Sequence, residues 1–170
     1  MKKERQYILF VITVLLTQIL LLNHLTVSTY IAPLAYIVCI IMMPLGTSPL
    51  KMIAVGTLLG GVMDATMGTI GLNVIATLPV AYFRRPILHF VASFSDVDSD
   101  GEIPTVRRIG RFHFYVVAMV ILHSLLFFVF EHMTLVHLTF IATRFVCSTA
   151  ISLALVYFFI VIFTPKLTTR

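Results

Sequence analysis

Apolar runs make up most of this chain, and they constrain its fold more than any other feature. Hydrophobic residues amount to 59% of the sequence and charged residues to only 11%, whereas about 25% of a soluble domain is charged. Such a chain cannot cover a water-exposed surface with polar groups. The nearly uninterrupted apolar runs are residues 7–22, 30–45, 52–67, 72–83, 114–130 and 138–163. We therefore predict an all-α integral membrane protein, with six transmembrane helices in a single transmembrane domain over residues 1–170.

The basic residues predict how these spans are oriented. If both termini are cytoplasmic, the inner segments hold all of the 12 Lys and Arg residues except Arg144. The outer connections hold none, which is the asymmetry that the positive-inside rule describes. The same bias accounts for the net charge of +5, so no nucleic-acid partner is expected. The inner segments on this prediction are residues 1–6, 46–51, 164–170 and a long cytoplasmic loop, 84–113.

One carboxylate stands in the third apolar run among small residues. Gly56, Gly60, Asp64 and Gly68 recur every four residues, so on a helix they fall along one slowly drifting stripe. Glycines allow another helix to come close. The stripe therefore predicts a helix-packing face, with the carboxylate buried between helices instead of facing lipid.

Asp64 and Arg144 are the charged residues that fall well inside predicted spans. Both lie ~10 Å below the outer edge of the membrane if each residue advances a helix by ~1.5 Å. Their matching depth favours a buried ion pair that joins the third and sixth spans, with Ser148, Thr149 and Ser152 facing the third span. The alternatives are that each charge snorkels separately to the interface, or that Arg144 pairs with Glu131 or a lipid phosphate.

No motif predicts an enzyme, a metal site or a cofactor. Residues 96–103 place carboxylates and a glycine as the first part of an EF-hand loop does, but Arg107 stands where a bidentate Glu is needed. We therefore expect this segment to be a solvated acidic loop. The six histidines form no HExxH motif, and no nucleophile elbow, P-loop or dinucleotide-binding glycine pattern is present.

Residues 56–73 resemble the signature of the rod shape-determining MreD family. That signature is G-x-x-x-G-G-x-x-D, then a short gap, then G-L-N and an apolar helix. Two further patterns are similar to members of the Bacteroidetes type: Leu22-Asn23-His24 followed by Tyr30-Ile31-Ala32-Pro33 and Tyr36, and Phe83-Arg84-Arg85-Pro86. The signature residues here are Gly56, Gly60, Gly61, Asp64, Gly68, Gly71, Leu72 and Asn73.

The resemblance implies a non-enzymatic, multi-pass component of the cell-elongation machinery in the bacterial inner membrane. Members of this family lie beside MreC, near MreB filaments and the RodA and penicillin-binding-protein pair that builds peptidoglycan. Contact of the cytoplasmic loop with a filament is one alternative, and anchoring of its basic residues to anionic membrane lipid is the interpretation that we favour.

The resemblance also implies a compact six-helix bundle similar to the substrate-binding S-components of energy-coupling-factor transporters. That similarity supplies an alternative function, the binding of a small vitamin in an outward-facing pocket. Asp64, Asn73, Arg144 and the outer histidines would line such a pocket. The very short outer connections favour the first function, because they leave little chain to close over a ligand.

Overall fold

All regular structure in the described part of the chain is helical. The computed structural model describes residues 2–24, 31–91, 103–105, 111–132 and 138–168. Two 3-10 turns lie at Leu22–His24 and Ala35–Ile37. The α-helices are α1 (Lys2–Leu20), α2 (Val38–Ile41), α3 (Pro49–Met67), α4 (Leu72–Val91), α5 (Phe112–Glu131) and α6 (Leu138–Thr168).

In the described ranges, four helical stretches are long and apolar enough to cross a membrane, so the chain has the make-up of a helical membrane protein. They are Arg5–His24, Pro49–Met67, Phe112–Glu131 and Leu138–Thr164. Helix α4 has a similar length, but basic side chains in its second half lower its hydropathy. Helix α2 has four residues, far fewer than the ~20 that a spanning helix needs. Two of the six predicted spans therefore depart from the form expected of an independent transmembrane helix.

The second predicted span, residues 30–45, is interrupted in the structure. Residues 31–34 have no regular structure, and only a 3-10 turn and the short α2 follow them. Pro33 and Pro44 explain these limits, because each proline disfavours helical backbone at the residue before it. The apolar run reflected the burial of this stretch, whereas its prolines decided its conformation.

Residues 31–45, which we call the central segment, lie in the middle of the bundle. Every residue from Pro33 to Met43 is buried, and the side chains from Leu34 to Met42 belong to the main hydrophobic core. Helices α1 and α6 pack along the segment, and α3 approaches it where Gly56 faces Ile40. Helices α4 and α5 reach it through buried hydrogen bonds. All five long helices thus surround one short, irregular piece of chain.

The chain runs back and forth between two ends of the bundle. At one end, which we call the hairpin end, α3 turns into α4 and the end of α5 meets the start of α6 through Glu131 and Arg144. At the other, the basal end, the end of the central segment meets α3, α4 and α5. The side chains and backbone that meet there belong to Met43, Met52, Arg84 and Tyr115.

Helix α4 continues past its predicted end at residue 83, so the predicted loop 84–113 is wrong over residues 84–91. Arg84 is 2% exposed and lies inside the bundle instead of in a solvated loop. Pro79 and Pro86 are both accommodated within the helix. Further along, Ile103 and Pro104 are buried, while the acidic stretch 96–102 lies outside the described residues.

Two glycines of the predicted stripe bring α3 and α4 into close contact. A Cβ atom on Gly60 would lie 2.7 Å from the Cα atom of Val74, and one on Gly56 would lie 2.9 Å from the Cβ atom of Ala81. Gly61 differs, because a Cβ there would meet no atom within 4 Å. The packing partner of the stripe is therefore the next helix in the chain, and not α6 as the ion-pair hypothesis required.

We expect Gly60→Ala to lower the free energy of unfolding by about 1–3 kcal/mol, since the added methyl overlaps the backbone of α4. The better helix propensity of Ala, about 1 kcal/mol, opposes but does not remove this loss. The measurement is thermal unfolding of the purified protein in detergent. Gly61→Ala is the matched control and should leave the midpoint unchanged or raise it. Equal midpoints for the two variants would show that the close contact at Gly60 is unimportant.

Candidate functional site

The carboxylate of Asp64 caps the N-terminus of α4 from the end of α3. Its Oδ1 atom accepts hydrogen bonds from the backbone N–H of Asn73 at 2.9 Å and from the side-chain amide of Asn73 at 3.0 Å. Its Oδ2 atom accepts from the backbone N–H of Val74 at 3.0 Å, and the Thr69 hydroxyl also donates to the carboxylate. Asp64 thus satisfies two backbone donors that begin a helix without a partner, and its charge suits that helix end.

Two glycines explain why the cap comes from Asp64. Gly68 ends α3 with φ +67°, and Gly71 precedes α4 with φ +78°. Backbone in this left-handed region favours glycine. Gly71, however, has no side chain with which to cap α4. The carboxylate one turn before the end of α3 supplies the missing acceptor, so the spacing between Asp64 and Asn73 follows from the geometry of the turn.

A buried polar network continues from this cap into the core. Tyr36 of the central segment donates its hydroxyl hydrogen bond to the Oδ1 atom of Asn73 at 3.1 Å. Its oxygen also lies 2.9 Å from the Thr77 hydroxyl and 2.9 Å from the Nε2 atom of His123. The Tyr36 and His123 rings meet edge to face, with centroids 5.2 Å apart. The network therefore joins α3, α4, α5 and the central segment.

The proton positions in this network follow from Asp64. The carboxylate accepts from the Asn73 amide nitrogen, so the amide oxygen of Asn73 faces Tyr36 and takes its single hydroxyl proton. Thr77 and the Nε2–H of His123 then donate to the Tyr36 oxygen. The Nδ1 atom of His123 is left as a buried acceptor without a partner among the described residues.

A second group of side chains forms hydrogen bonds with the backbone at the start of the central segment. The hydroxyls of Ser148 and Ser152 on α6 accept from the backbone N–H groups of Ala32, at 3.0 Å, and Leu34, at 2.9 Å. Gln18 on α1 accepts from the N–H of Ala35 at 2.9 Å and donates to the carbonyl oxygen of Pro33 at 2.8 Å. The two serines therefore serve the central segment, and the prediction that they face α3 is wrong.

A third group of side chains donates hydrogen bonds to the backbone carbonyl oxygens at the other end of the central segment. Tyr7 on α1 donates to Cys39 at 2.8 Å, and Tyr115 on α5 donates to Ile41 at 3.0 Å. Arg84 on α4 donates to the carbonyl oxygen of Met43, and its Nε atom donates to the Tyr115 hydroxyl at 3.1 Å. Three helices thus hold the last carbonyl groups of the interrupted segment.

Arg84 lies in this third group without a carboxylate partner. Its remaining contact is a long one, 3.5 Å from the Sδ atom of Met52, and no ion pair among the described residues includes it. Carbonyl and hydroxyl oxygens take its hydrogen bonds, but they do not cancel its charge. Among the described residues, Arg84 is therefore a buried positive charge without a counter-ion.

Arg144 lies away from Asp64, so the predicted Asp64–Arg144 ion pair is wrong. The NH1 atom of Arg144 lies 3.1 Å from a carboxylate oxygen of Glu131, and its guanidinium carbon lies 5.5 Å from the centre of the Phe128 ring. His132 lies 3.3 Å from the same Glu131 oxygen. The alternative pairing with Glu131 is the arrangement present. The equal depth expected for the two charges did not bring them together, because α3 and α6 are not among the helix pairs that pack closely against each other.

The structure divides the predicted site residues into two sets. Gly56, Gly60, Asp64, Gly68, Gly71 and Asn73 come together in the α3–α4 hairpin. Gly61 lies on α3 but faces away from α4, with no atom within 4 Å of an added Cβ, and Arg144 lies outside the hairpin beside Glu131. Residues that the prediction missed complete the buried polar set. Most of them are polar residues that stand in otherwise apolar stretches, which is the signal that would have found them: Gln18, Tyr36, Thr77, Arg84, Tyr115 and His123.

The arrangement serves to hold backbone in place. Most of these hydrogen bonds cap a helix end or join the central segment to a helix, and those of Arg84 to Tyr115 and Met52 join α4 to α5 and α3. Within the part of the chain that the structure describes, no group of three His, Cys, Asp or Glu side chains could hold a metal ion. Cys39 is buried and Cys147 is half-buried, and both are free thiols.

No family model, no curated protein and no solved structure matches this chain.

We expect Asp64→Ala to lower the free energy of unfolding by about 1–3 kcal/mol, since it leaves two helix N–H groups and the Asn73 amide without their acceptor. Thermal unfolding in detergent measures the effect. Thr57→Ala on the same helix is the control, because this exposed hydroxyl bonds only to the carbonyl of Ile53 on its own helix. A loss no larger than that of the control would contradict the capping role.

Ser152→Ala tests the support of the central segment. The change leaves the N–H of Leu34 buried without an acceptor, which should lower the free energy of unfolding by about 1–3 kcal/mol. Thr143→Ala on the same helix is the matched control, because Thr143 is exposed and bonds to the carbonyl of Thr139 one turn earlier. Hydrogen exchange should also speed up at Leu34 in the first variant. Unchanged exchange at Leu34 would show that the hydroxyl is not its acceptor.

Proposed function

We propose that this protein is a non-enzymatic, multi-pass component of the cell-elongation machinery in the bacterial inner membrane. In this role it binds MreC and supports peptidoglycan synthesis, close to RodA, its penicillin-binding-protein partner and MreB filaments. The observation that carries the proposal is that residues 56–73, whose pattern resembles the MreD signature, act together as one structural unit. Their glycines, carboxylate and asparagine form the α3–α4 hairpin and cap it.

The character of the rest of the bundle supports a role in binding other membrane proteins. Large apolar side chains are exposed on several helices, including Leu58 at 68%, Phe90 at 78% and Val161 at 70%. In a membrane these faces meet lipid or the helices of other proteins. The buried polar groups, by contrast, are almost all engaged in holding the bundle together. A rigid bundle with apolar outer faces suits a component that positions its partners.

A second candidate function is the binding of a small vitamin, as in an energy-coupling-factor S-component. The observation that favours it is the interrupted central segment, because broken helices often line the substrate sites of transporters. The buried acceptor of His123, next to Tyr36, adds a polar group on that side of the core. These residues are fully buried, so ligand entry would require the helices at the hairpin end to separate.

Co-purification separates the two candidates. The full chain is expressed at native level with an affinity tag, extracted in mild detergent and captured, and the captured proteins and small molecules are identified by mass spectrometry. We expect MreC at near-stoichiometric amounts, no vitamin, and rounded cells after depletion of the protein. A tagged multi-pass protein of similar abundance is the control for non-specific capture. Stoichiometric vitamin with an ATPase partner and no MreC would replace the first proposal with the second.

A further inference from the structure

His123 differs from the other buried polar residues in the described part of the chain. Nine polar or charged residues are buried there, from Gln18 on α1 to Ser152 on α6. Among these nine, His123 alone has a buried side-chain nitrogen or oxygen atom without a hydrogen-bond partner, and this atom is Nδ1. Because buried polar atoms in folded proteins are nearly always hydrogen-bonded, the unpaired atom indicates a partner from outside the chain.

The hydrogen bonds around Tyr36 determine which kind of partner Nδ1 needs. The Tyr36 hydroxyl proton goes to the Oδ1 atom of Asn73, because the amide nitrogen of Asn73 faces Asp64. The Nε2 atom of His123, 2.9 Å from the Tyr36 oxygen, therefore carries the ring proton and donates it to that oxygen. In this neutral ring Nδ1 is an acceptor, so its missing partner is a hydrogen-bond donor.

The other protonation states of the His123 ring are less favourable. If Nδ1 carried the single proton, Tyr36 would donate to Nε2, and both the Nδ1–H group and the Asn73 amide oxygen would lack partners. If both ring nitrogens carried protons, the ring would be a buried cation, whereas its hydrogen-bond partners Tyr36 and Thr77 are uncharged. A buried charge without a counter-ion is costly. The missing partner of Nδ1 is therefore a neutral donor and not a bound proton.

The surroundings of Nδ1 limit the size of this donor. Nδ1 is bonded to the Cγ atom of His123, so a group that reaches it lies close to the backbone of α5. Met119, Val120 and Phe127 lie three or four residues from His123 on the same face of α5, and all three are buried. Water is the smallest neutral donor. It can also donate to a backbone carbonyl oxygen of α5, which keeps a second lone pair.

We propose that an internal water molecule donates a hydrogen bond to the Nδ1 atom of His123 and stays bound in the core of the bundle. The water completes the polar network of Asp64, Asn73, Tyr36 and His123, because it pairs the buried atom that the chain leaves unpaired. The contact of α5 with the central segment thus depends on a bound water as well as on side chains. This inference is independent of the proposed function.

The test is solid-state NMR of the full chain in lipid bilayers at neutral pH, with isotope-labelled histidine and tyrosine rings. His123 is the only histidine followed by a serine, and Tyr115 is the only tyrosine followed by a valine. Pairwise labelling therefore identifies both rings without any variant. We expect a proton on Nε2 of His123 and none on Nδ1. At the shortest mixing times, magnetisation from water should reach the ring carbons of His123 and not those of Tyr115. Tyr115 is the matched control, because it is equally buried on α5 and its hydroxyl has partners in Arg84 and Ile41.

Two variants test the proton positions on which the proposal depends. Asn73→Leu removes the amide oxygen that takes the Tyr36 proton, so Tyr36 should donate to Nε2 and the ring proton of His123 should move to Nδ1. Thr77→Val is the control, because it leaves the bond between Tyr36 and Asn73 in place and should keep the proton on Nε2. The same nitrogen spectra measure both variants.

Several outcomes overturn the proposal. Equally slow transfer from water to His123 and Tyr115 in the unchanged protein would show that Nδ1 has no water, and this result decides the question even if a variant fails to fold. A proton on Nδ1 of the unchanged protein, alone or together with one on Nε2, would contradict the acceptor role. A proton that stays on Nε2 in a folded Asn73→Leu variant would show that Asn73 does not set its position. A stoichiometric organic molecule in the extracted protein, with no transfer from water to His123, would make that molecule the donor.

Discussion

The central segment needs hydrogen-bond partners, and the rest of the structure is arranged to supply them. Irregular backbone cannot face lipid, because each unsatisfied N–H or C=O group there costs several kcal/mol. This chain places such backbone at residues 31–34 and ends its short helix at Ile41, in the middle of the bundle. Side chains from α1 and α6 take its amide groups, and side chains from α1, α4 and α5 take its carbonyl groups. One short segment thereby fixes the positions of four long helices.

The α3–α4 hairpin solves a related problem at the edge of this arrangement. A tight turn between two closely packed helices needs glycine at its φ-positive positions, and glycine cannot cap the helix that follows. Asp64 resolves the conflict because it caps α4 from the preceding helix. Asn73 also accepts a hydrogen bond from Tyr36, and the Tyr36 hydroxyl in turn bonds to His123. One polar network therefore links the turn to the central segment. The negative charge of Asp64 lies at the N-terminus of α4, whose partial positive charge stabilises a carboxylate without a basic partner.

The distribution of charge gives the two ends of the bundle different characters. At the hairpin end each charge has a partner, since Asp64 meets a helix terminus and Glu131 meets Arg144. At the basal end Arg84 has oxygen acceptors but no counter-ion among the described residues. Its hydrogen bonds join α4 to α5 and to the end of the central segment, so its role there is to hold the bundle together.

The sequence by itself determined the all-α class, the apolar helices and the close approach at Gly56 and Gly60, because these depend on hydropathy and on residue size at regular spacing. It did not reveal the interrupted second span, since hydropathy measures burial and Pro33 and Pro44 act on conformation. Nor could it reveal that Asp64 caps α4 while Arg144 pairs with Glu131, or that Arg84 belongs to the core. Those outcomes depend on which helices are neighbours in space. Only the tertiary structure decides that, because a buried polar group takes the partner that its neighbours bring within about 3 Å, and residues on helices that do not pack closely together do not meet.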